Sequence, residues 1–310
     1  MEQGDKREII MVRELEYILT IAEEKNITRA AQKLNITQSS LSQFLSAFET
    51  NLGTKLFVRT SAGTLPTYSG ELFLEYAQKA VYEYRQVCNR LNDVNHLMEG
   101  QIRFAVGPER CCRLIPPILK RFREQYPNIH VDIEQRISNE CLALLADGTV
   151  DIALLAVSRQ LPMLPTEYLR DEEIIVLAAA DHPILRHTHT AENGRRYIEL
   201  EEVARHELIL TAPNTAVRII VEDLFREANL KLHAHYDNTT LAFGLAMARQ
   251  GFGLLFTQES LVDPVSDCVR LSIGEKGVFR CLVLAYPNHQ YRAEATKAFA
   301  REIHLALDQR

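Results

Sequence analysis

NITRAAQKLNITQSSLSQFLSAFE, residues 26–49, holds two short helical patterns separated by a tight turn. The first spans Arg29–Leu34 and buries Ala30, Ala31 and Leu34, with Thr28 as its expected N-cap. Asn35-Ile36 makes the turn, and Thr37 caps the next helix. That helix buries Leu41, Phe44, Leu45 and Phe48, and Gly53 stops it. Its opposite face carries Ser39, Ser42, Gln43 and Ser46, with Gln38 in the first turn. Two short helices crossing at small alanines are a helix-turn-helix pattern. The polar face of the second helix suits a DNA major groove, with its first residues at base edges. A small helical packing subdomain with a merely solvated face is the alternative.

Working outward, Leu15, Ile18, Leu19 and Ala22 form the apolar stripe of a preceding helix. After it, Leu56–Arg59, the turn Ser61-Ala62-Gly63 and Thr64-Leu65 read as a hairpin, the wing of a winged helix. Residues 1–68 contain eight basic and eight acidic residues, and 37–50 has no Lys or Arg. DNA affinity leans on neutralised phosphates, and few groups are on offer for that here. They are Arg29, Lys33, Lys55 and Arg59, with the hydroxyls of Thr28 and Thr60.

Phe73, Ala77, Ala80, Tyr84, Val87, Leu91, Val94 and Met98 follow at spacings of four and three, an a/d seam on one long helix over 69–98. Such a seam pairs with a second copy or packs within the chain. From Gly100 onward strands and helices alternate, which predicts a parallel sheet covered by helices. The pattern breaks at Pro162 and Pro165, and a second βα set follows. Two similar lobes with a ligand cleft at the carboxyl ends of their strands are expected.

Length and composition agree. The chain has 310 residues, 46% hydrophobic and 25% charged, with a formal net charge of −6. Those values describe a globular chain of about two domains. Ile174–Ala180 is the longest apolar run, of core-strand length, so no membrane span is expected. The charged start MEQGDKREII is no signal peptide, and a cytoplasmic location is expected. The six cysteines have no zinc spacing and read as free thiols. Neither His187-x-His189 nor His233-x-His235 has a third metal ligand set by spacing, and no catalytic motif occurs. Neither an enzyme, a metal site nor a bound cofactor is therefore expected.

With these residues in view, the chain resembles the LysR-type transcriptional regulators. The resemblance runs over residues 12–307. It rests on LEYILTIAEEKNITRAAQKLNITQSSLSQFLSAFETNLGTKLFVRT, on the wing and TYSG, and on GQIRFAVGPERCCRLIPPILKRFREQYPNIHVDIEQ. LLADGTVDIALL, His182-Pro183 and MARQGFGLLFTQE add to it. It implies an α/β architecture in three parts: a winged helix-turn-helix over 12–68, a linker and dimerisation helix over 69–99, and an effector domain over 100–310. The effector domain would have two periplasmic-binding-protein-like lobes, 100–163 with 268–310 and 164–267.

The resemblance also implies a dimer of dimers on inverted-repeat promoter DNA, a small-molecule co-inducer between the lobes, and RNA polymerase as a candidate partner. The base-reading helix would be Gln38–Phe48. Ser39 stands where the family commonly has proline, and Gln43 where it commonly has arginine. Gln38 and Gln43 favour adenine edges, and Ser39 and Ser42 serve either base, so an A·T-leaning half-site is expected.

The first effector loop departs from the family. Gly107-Pro108-Glu109-Arg110-Cys111 replaces the usual Ser or Thr. Glu109 with Arg110 suits a zwitterion or cation, unless the two pair with each other. Ser138 matches the family's second hydroxyl position, at a helix start that favours an anion. Thr211, Asn214, Asn238 and Thr239 are second-lobe candidates, or plain helix caps. Cys111 and Cys112, beside Arg110 and Arg113 at a helix start, allow a redox-sensing alternative through a lowered thiol pKa. The family's peroxide sensors keep their reactive cysteines in the second lobe, where this chain has none before Cys268. A ligand-binding protein without DNA recognition is the other alternative.

Overall fold

A computed structural model describes residues 12–94, 100–157, 164–213, 215–262, 267–288 and 291–308, in two compact units. Among the described residues, no helix is long and apolar enough to cross a membrane.

The first unit opens with α1 (Val12–Glu24), α2 (Ile27–Lys33) and α3 (Gln38–Leu52). Asn26 caps α2 through its side chain, accepting from the backbone N–H of Thr28 at 2.9 Å and of Arg29 at 3.1 Å. The expected cap, Thr28, is thus inside the first turn, and Ile27 joins the core. Asn is as good a cap as Thr, and starting the helix two residues earlier buries one more large apolar side chain. Asn35 takes the left-handed turn at φ 54°, Thr37 caps α3, and Gly53 ends it at φ 73°. Ala30 and Ala31 are fully buried with Ile18, Ile21, Leu41, Leu45, Phe48, Leu56 and Phe57.

The wing follows as β1 (Phe57–Thr60) and β2 (Gly63–Pro66), antiparallel from Phe57↔Pro66 to Thr60↔Gly63. Gly63 sits at φ 119°, and a Cβ there would run into the Lys25 carbonyl that receives the Thr64 N–H at 2.8 Å.

α4 (Tyr68–Val94) completes this unit. The expected seam divides along its length. Phe73, Ala77 and Ala80, joined by Val81, pack on Val12, Leu15 and Leu19 of α1. Tyr84, Val87 and Leu91 stay about half exposed. The apolar side chains of α1 pack on the first half of the longer helix, and beyond them Glu16 of α1 meets Arg85 at 3.4 Å. The Val94 side chain and Met98 lie outside the described residues.

In the second unit, β3 (Gly100–Val106), α5 (Pro108–Gln125), β4 (Ile129–Gln135), α6 (Ser138–Ala146) and β5 (Ile152–Val157) form the expected parallel set, with β3 between β4 and β5. A long strand, β6 (Thr166–Ala179), then leads to β7 (His189–Thr190), β8 (Arg196–Ile198) and α7 (Leu200–Val203). Next come β9 (Leu208–Thr211), α8 (Ala216–Glu227), β10 (Ala234–Thr239), α9 (Leu241–Arg249) and β11 (Leu254–Gln258). β12 (Cys268–Ile273), β13 (Val278–Ala285) and α10 (Glu294–Asp308) close the chain.

β9 lies between parallel β10 and β11, which repeats the first set. Antiparallel β6 and β13 join the two sets into one mixed sheet, eleven-stranded among the described residues. Phe104, Phe122 and Phe299 meet edge to face in the first lobe's core, while Ile174, Val176, Phe225 and Phe256 lie in the second's.

The return to the first lobe, expected at 268, comes later. Leu271 and Ile273 of β12 pack in the second core, and Leu282 and Leu284 of β13 in the first. The crossings therefore fall inside β6 and β13, about the Glu172↔Arg280 pair. Strand pairing across the chain decides this, and apolar alternation carries no record of it.

Candidate nucleic-acid interface and effector site

All ten residues expected at DNA sit on α2, α3 or the strand–turn segment of the first unit. Gln38, Ser39 and Gln43 are exposed along α3, and Ser42 is half-buried beside them. Ser39 and Ser40 hydroxyls lie 3.0 and 2.8 Å from the Thr37 hydroxyl. Arg59 of the wing donates to the Ser42 hydroxyl at 3.2 Å, which sets a basic group at the edge of the polar face. Thr28 is exposed at the start of α2. The Thr60 hydroxyl bonds the Gly63 carbonyl at 3.1 Å and belongs to the wing turn.

The other basic groups already have acidic neighbours. Arg29 donates to the Glu24 carbonyl at 2.6 Å and lies 3.6 Å from its carboxylate. Lys33 pairs with Glu23 at 2.8 Å and Glu24 at 3.3 Å, and the Glu23 hydrogen bond raises its pKa. Lys55 pairs with Glu49 at 2.7 Å. The exposed Lys33–Glu23 pair is worth about 0–1 kcal/mol, little enough to be exchanged for a phosphate.

Glu49 was not anticipated. It is buried, and one carboxylate oxygen accepts the backbone N–H groups of Leu56 and Phe57 at 2.8 and 3.0 Å. It thereby ties the end of α3 to the start of the wing. A lone carboxylate between Phe48 and the next turn, in a helix otherwise free of charge, was the available signal.

In the second unit, Glu109 and Arg110 do not pair with each other as one expectation had it. Glu109 is exposed in the first turn of α5, while Arg110 is buried and ion-pairs with Glu172. The geometric cause is the helix. Neighbouring positions point about 100° apart, so Arg110 faces the sheet and Glu109 faces solvent.

Cys111 packs in the first lobe's core, and burial pushes its thiol pKa up, opposite to the lowering that redox chemistry needs. Cys112 is exposed. Ser138 opens α6, half-buried.

The second-lobe candidates are largely engaged. Thr211 Oγ1 lies 2.9 Å from Thr215 Oγ1, and Thr215 is the cap of α8. The buried Thr239 hydroxyl donates to the Leu210 carbonyl at 3.0 Å. Asn238 is exposed at φ 61°, and Thr240 rather than either neighbour caps α9. Asn214 lies outside the described residues. Arg218 reaches the Thr211 carbonyl at 3.3 Å, Glu222 at 2.6 Å, and Asp237, whose carboxyl it holds below its ordinary pKa.

A polar cluster that sequence reasoning missed lies where the lobes join. Glu172 of β6 receives Arg110 from α5 and the hydroxyl of Ser260, and Arg280 of β13 stands opposite it. Arg113 donates to the carbonyls of Ser260 and Val262 at 2.9 and 3.2 Å. The signal was present: Glu172-Glu173 abuts the apolar run from Ile174, and Arg280 interrupts an apolar strand. Charges in such places point inward only when partners await them.

Known proteins match at both units. Residues 12–71 match the family model of the bacterial regulatory helix-turn-helix protein, lysR family, and residues 95–307 that of the LysR substrate binding domain. A probable nitrogen assimilation transcriptional activator of Synechococcus elongatus is 27% identical over 293 residues, 92% of each chain. A cysteine-to-serine mutant of OxyR from Corynebacterium glutamicum, with hydrogen peroxide bound, is 25% identical at TM-score 0.58, over 98% of this chain and 94% of that one. Full-length CbnR complexed with its target DNA shares the fold at 18% identity and TM-score 0.63, over 96% of this chain and all of that one.

Proposed function

Because the chain belongs to the LysR family of DNA-binding transcriptional regulators, we propose that it reads promoter DNA through the polar face of α3 and answers to a small molecule held between its effector lobes. The family's work is control of transcription, and catalysis has no part in it.

The observation that carries the first half is the exposed row Gln38, Ser39 and Gln43, with Ser42 beside it and Arg59 at its edge. Gln side chains match the acceptor–donor pair of adenine in the major groove, so the half-site leans to A·T. The phosphate grip comes from Arg29, Lys33, Lys55 and Arg59, with Thr28. The exposed Tyr84, Val87 and Leu91 of α4 support pairing with a second copy. Two recognition helices then meet an inverted repeat, and two such dimers make the tetramer. The site of action is the cytoplasm, where RNA polymerase is the further partner.

The effector half draws on the two-lobed sheet and on Arg110, whose charge lies near the carboxyl ends of β3 and β5. Redox sensing through Cys111 and Cys112 is the weaker reading, because burial raises the Cys111 thiol pKa, opposite to the lowering such chemistry needs.

A band shift of the purified chain on its own upstream region tests the proposal. Binding should give discrete complexes that an unrelated duplex does not compete away. Equal affinity for both duplexes would leave a ligand-binding protein without DNA recognition.

A further inference from the structure

Arg280 and Glu172 are direct partners across the antiparallel β13–β6 pair. Directly opposed residues share one face of a sheet. Arg110 enters that face from α5 and pairs with Glu172, whose other oxygen accepts the Ser260 hydroxyl. Arg280 gives Nη2 to the Ala156 carbonyl near the end of β5. Both guanidiniums are deeply buried, Arg110 at 7% exposure and Arg280 at 8%.

Their donors are not all used. Among the described residues, Arg110 Nε, Arg280 Nε and Arg280 Nη1 are closed to solvent and have no acceptor. Two guanidiniums and one carboxylate leave a net positive charge at the point where the lobes join. A buried charge without its counter-charge is among the costliest groups a fold can hold. Burial and the neighbouring Arg110 pull the Arg280 pKa down to about 10, with Glu172 opposing them. The place is also where open α/β sheets receive ligands, beyond the carboxyl ends of β3 and β5.

We propose that Arg110 and Arg280 receive the oxyanion head group, carboxylate or phosphate, of the small-molecule effector. This deepens the effector reading above and rests on it. The entering oxyanion takes the unused Nε and Nη1 donors and supplies the missing negative charge, while Glu172 keeps Arg110 and Ser260. The rest of the effector then extends into the crevice between the lobes.

Thermal unfolding of the full chain tests this, with sodium acetate, sodium malate or inorganic phosphate titrated at low ionic strength. A saturable rise of several degrees is expected from at least one of them. Phosphate alone marks a phosphate head group, and acetate or malate alone a carboxylate. Arg280→Gln should abolish the rise. Glu172→Gln should lower the half-saturating concentration about tenfold, because it raises the buried charge from one to two. If Arg280→Gln does not fold, Glu172→Gln decides by itself. Half-saturation unchanged by Glu172→Gln, or the same anion response in all proteins, overturns the proposal. Putrescine and benzyl alcohol run alongside. A saturable rise from either of these with none from the anions overturns the oxyanion assignment and keeps the effector reading, whereas silence from every compound overturns both.

Discussion

Glu49 shows what one buried side chain does for the DNA-binding unit. It satisfies two backbone N–H groups that would otherwise be buried without an acceptor. Leaving such a donor unpaired costs about 1–3 kcal/mol. Glu49→Ala should therefore destabilise the first unit by at least that much in urea unfolding, and Glu49→Gln, which keeps an acceptor oxygen, by less. Wild-type stability in Glu49→Ala would show that the two N–H groups find other partners. The thiols give a second prediction at this scale. Burial raises the pKa values of Cys111 and Cys268, and pushes Cys141 up to about 11. An aromatic disulfide reagent at pH 8 should modify exposed Cys112 quickly and these three only after denaturant is added. The sign for stability follows. Between pH 9 and 11 the native Cys141 keeps a proton that the unfolded chain releases, so this group's contribution to stability falls as pH rises through that window. Flat stability across it would contradict the raised value.

Among the elements, α4 is the one the chain leaves half-dressed. α1 covers Ala77 and Val81, while Tyr84, Val87 and Leu91 face outward at about half exposure. Fully burying one such side chain is worth about 1.5–3 kcal/mol, and a two-fold pair counts each residue twice. Leu91→Glu should shift the protein toward monomer in sedimentation velocity and weaken DNA binding with it. An unchanged sedimentation coefficient would place the dimer contact elsewhere. The heptad spacing of this helix was legible in the sequence, because period alone marks an apolar seam. Which half is spent on α1 was not legible, because that depends on where the apolar side chains of α1 lie in space. The caps divide in the same way. Thr37 and Gly53 could be named from residue type, whereas Asn26 displaced Thr28 once the core had a place for Ile27.

At the scale of the molecule, the DNA-binding unit has no surplus of positive charge, since residues 1–68 balance eight basic with eight acidic residues. Arg29, Lys33 and Lys55 also have acidic neighbours, which the proposed phosphate contacts would have to displace. Salt dependence reports the number of phosphates neutralised, at a slope of about −0.9 per contact. A band-shift series over salt concentration should therefore give a slope well short of about −10, the value of a strongly phosphate-bound repressor. A slope that steep would mean that the grip comes from groups beyond Arg29, Lys33, Lys55 and Arg59. The Arg110–Glu172–Arg280 cluster is the counterpart in the effector unit, where charge is concentrated at a single joint between lobes.

By itself the sequence determined what is local: the helical stripes, the turn at Asn35, the wing, the strand–helix alternation after Gly100 and the polar face of α3. Each of these depends on groups within a few positions of one another, where periodicity and capping act. Tertiary structure alone decided which distant groups meet. Arg110 and Glu172 are 62 positions apart, and Arg280 joins them through the register of β13 on β6. The same register set the crossing between lobes and kept β12 in the second one. Strand register and buried charge are settled by the packing of the whole sheet, because an apolar alternation fits many partners and a buried arginine needs one particular carboxylate.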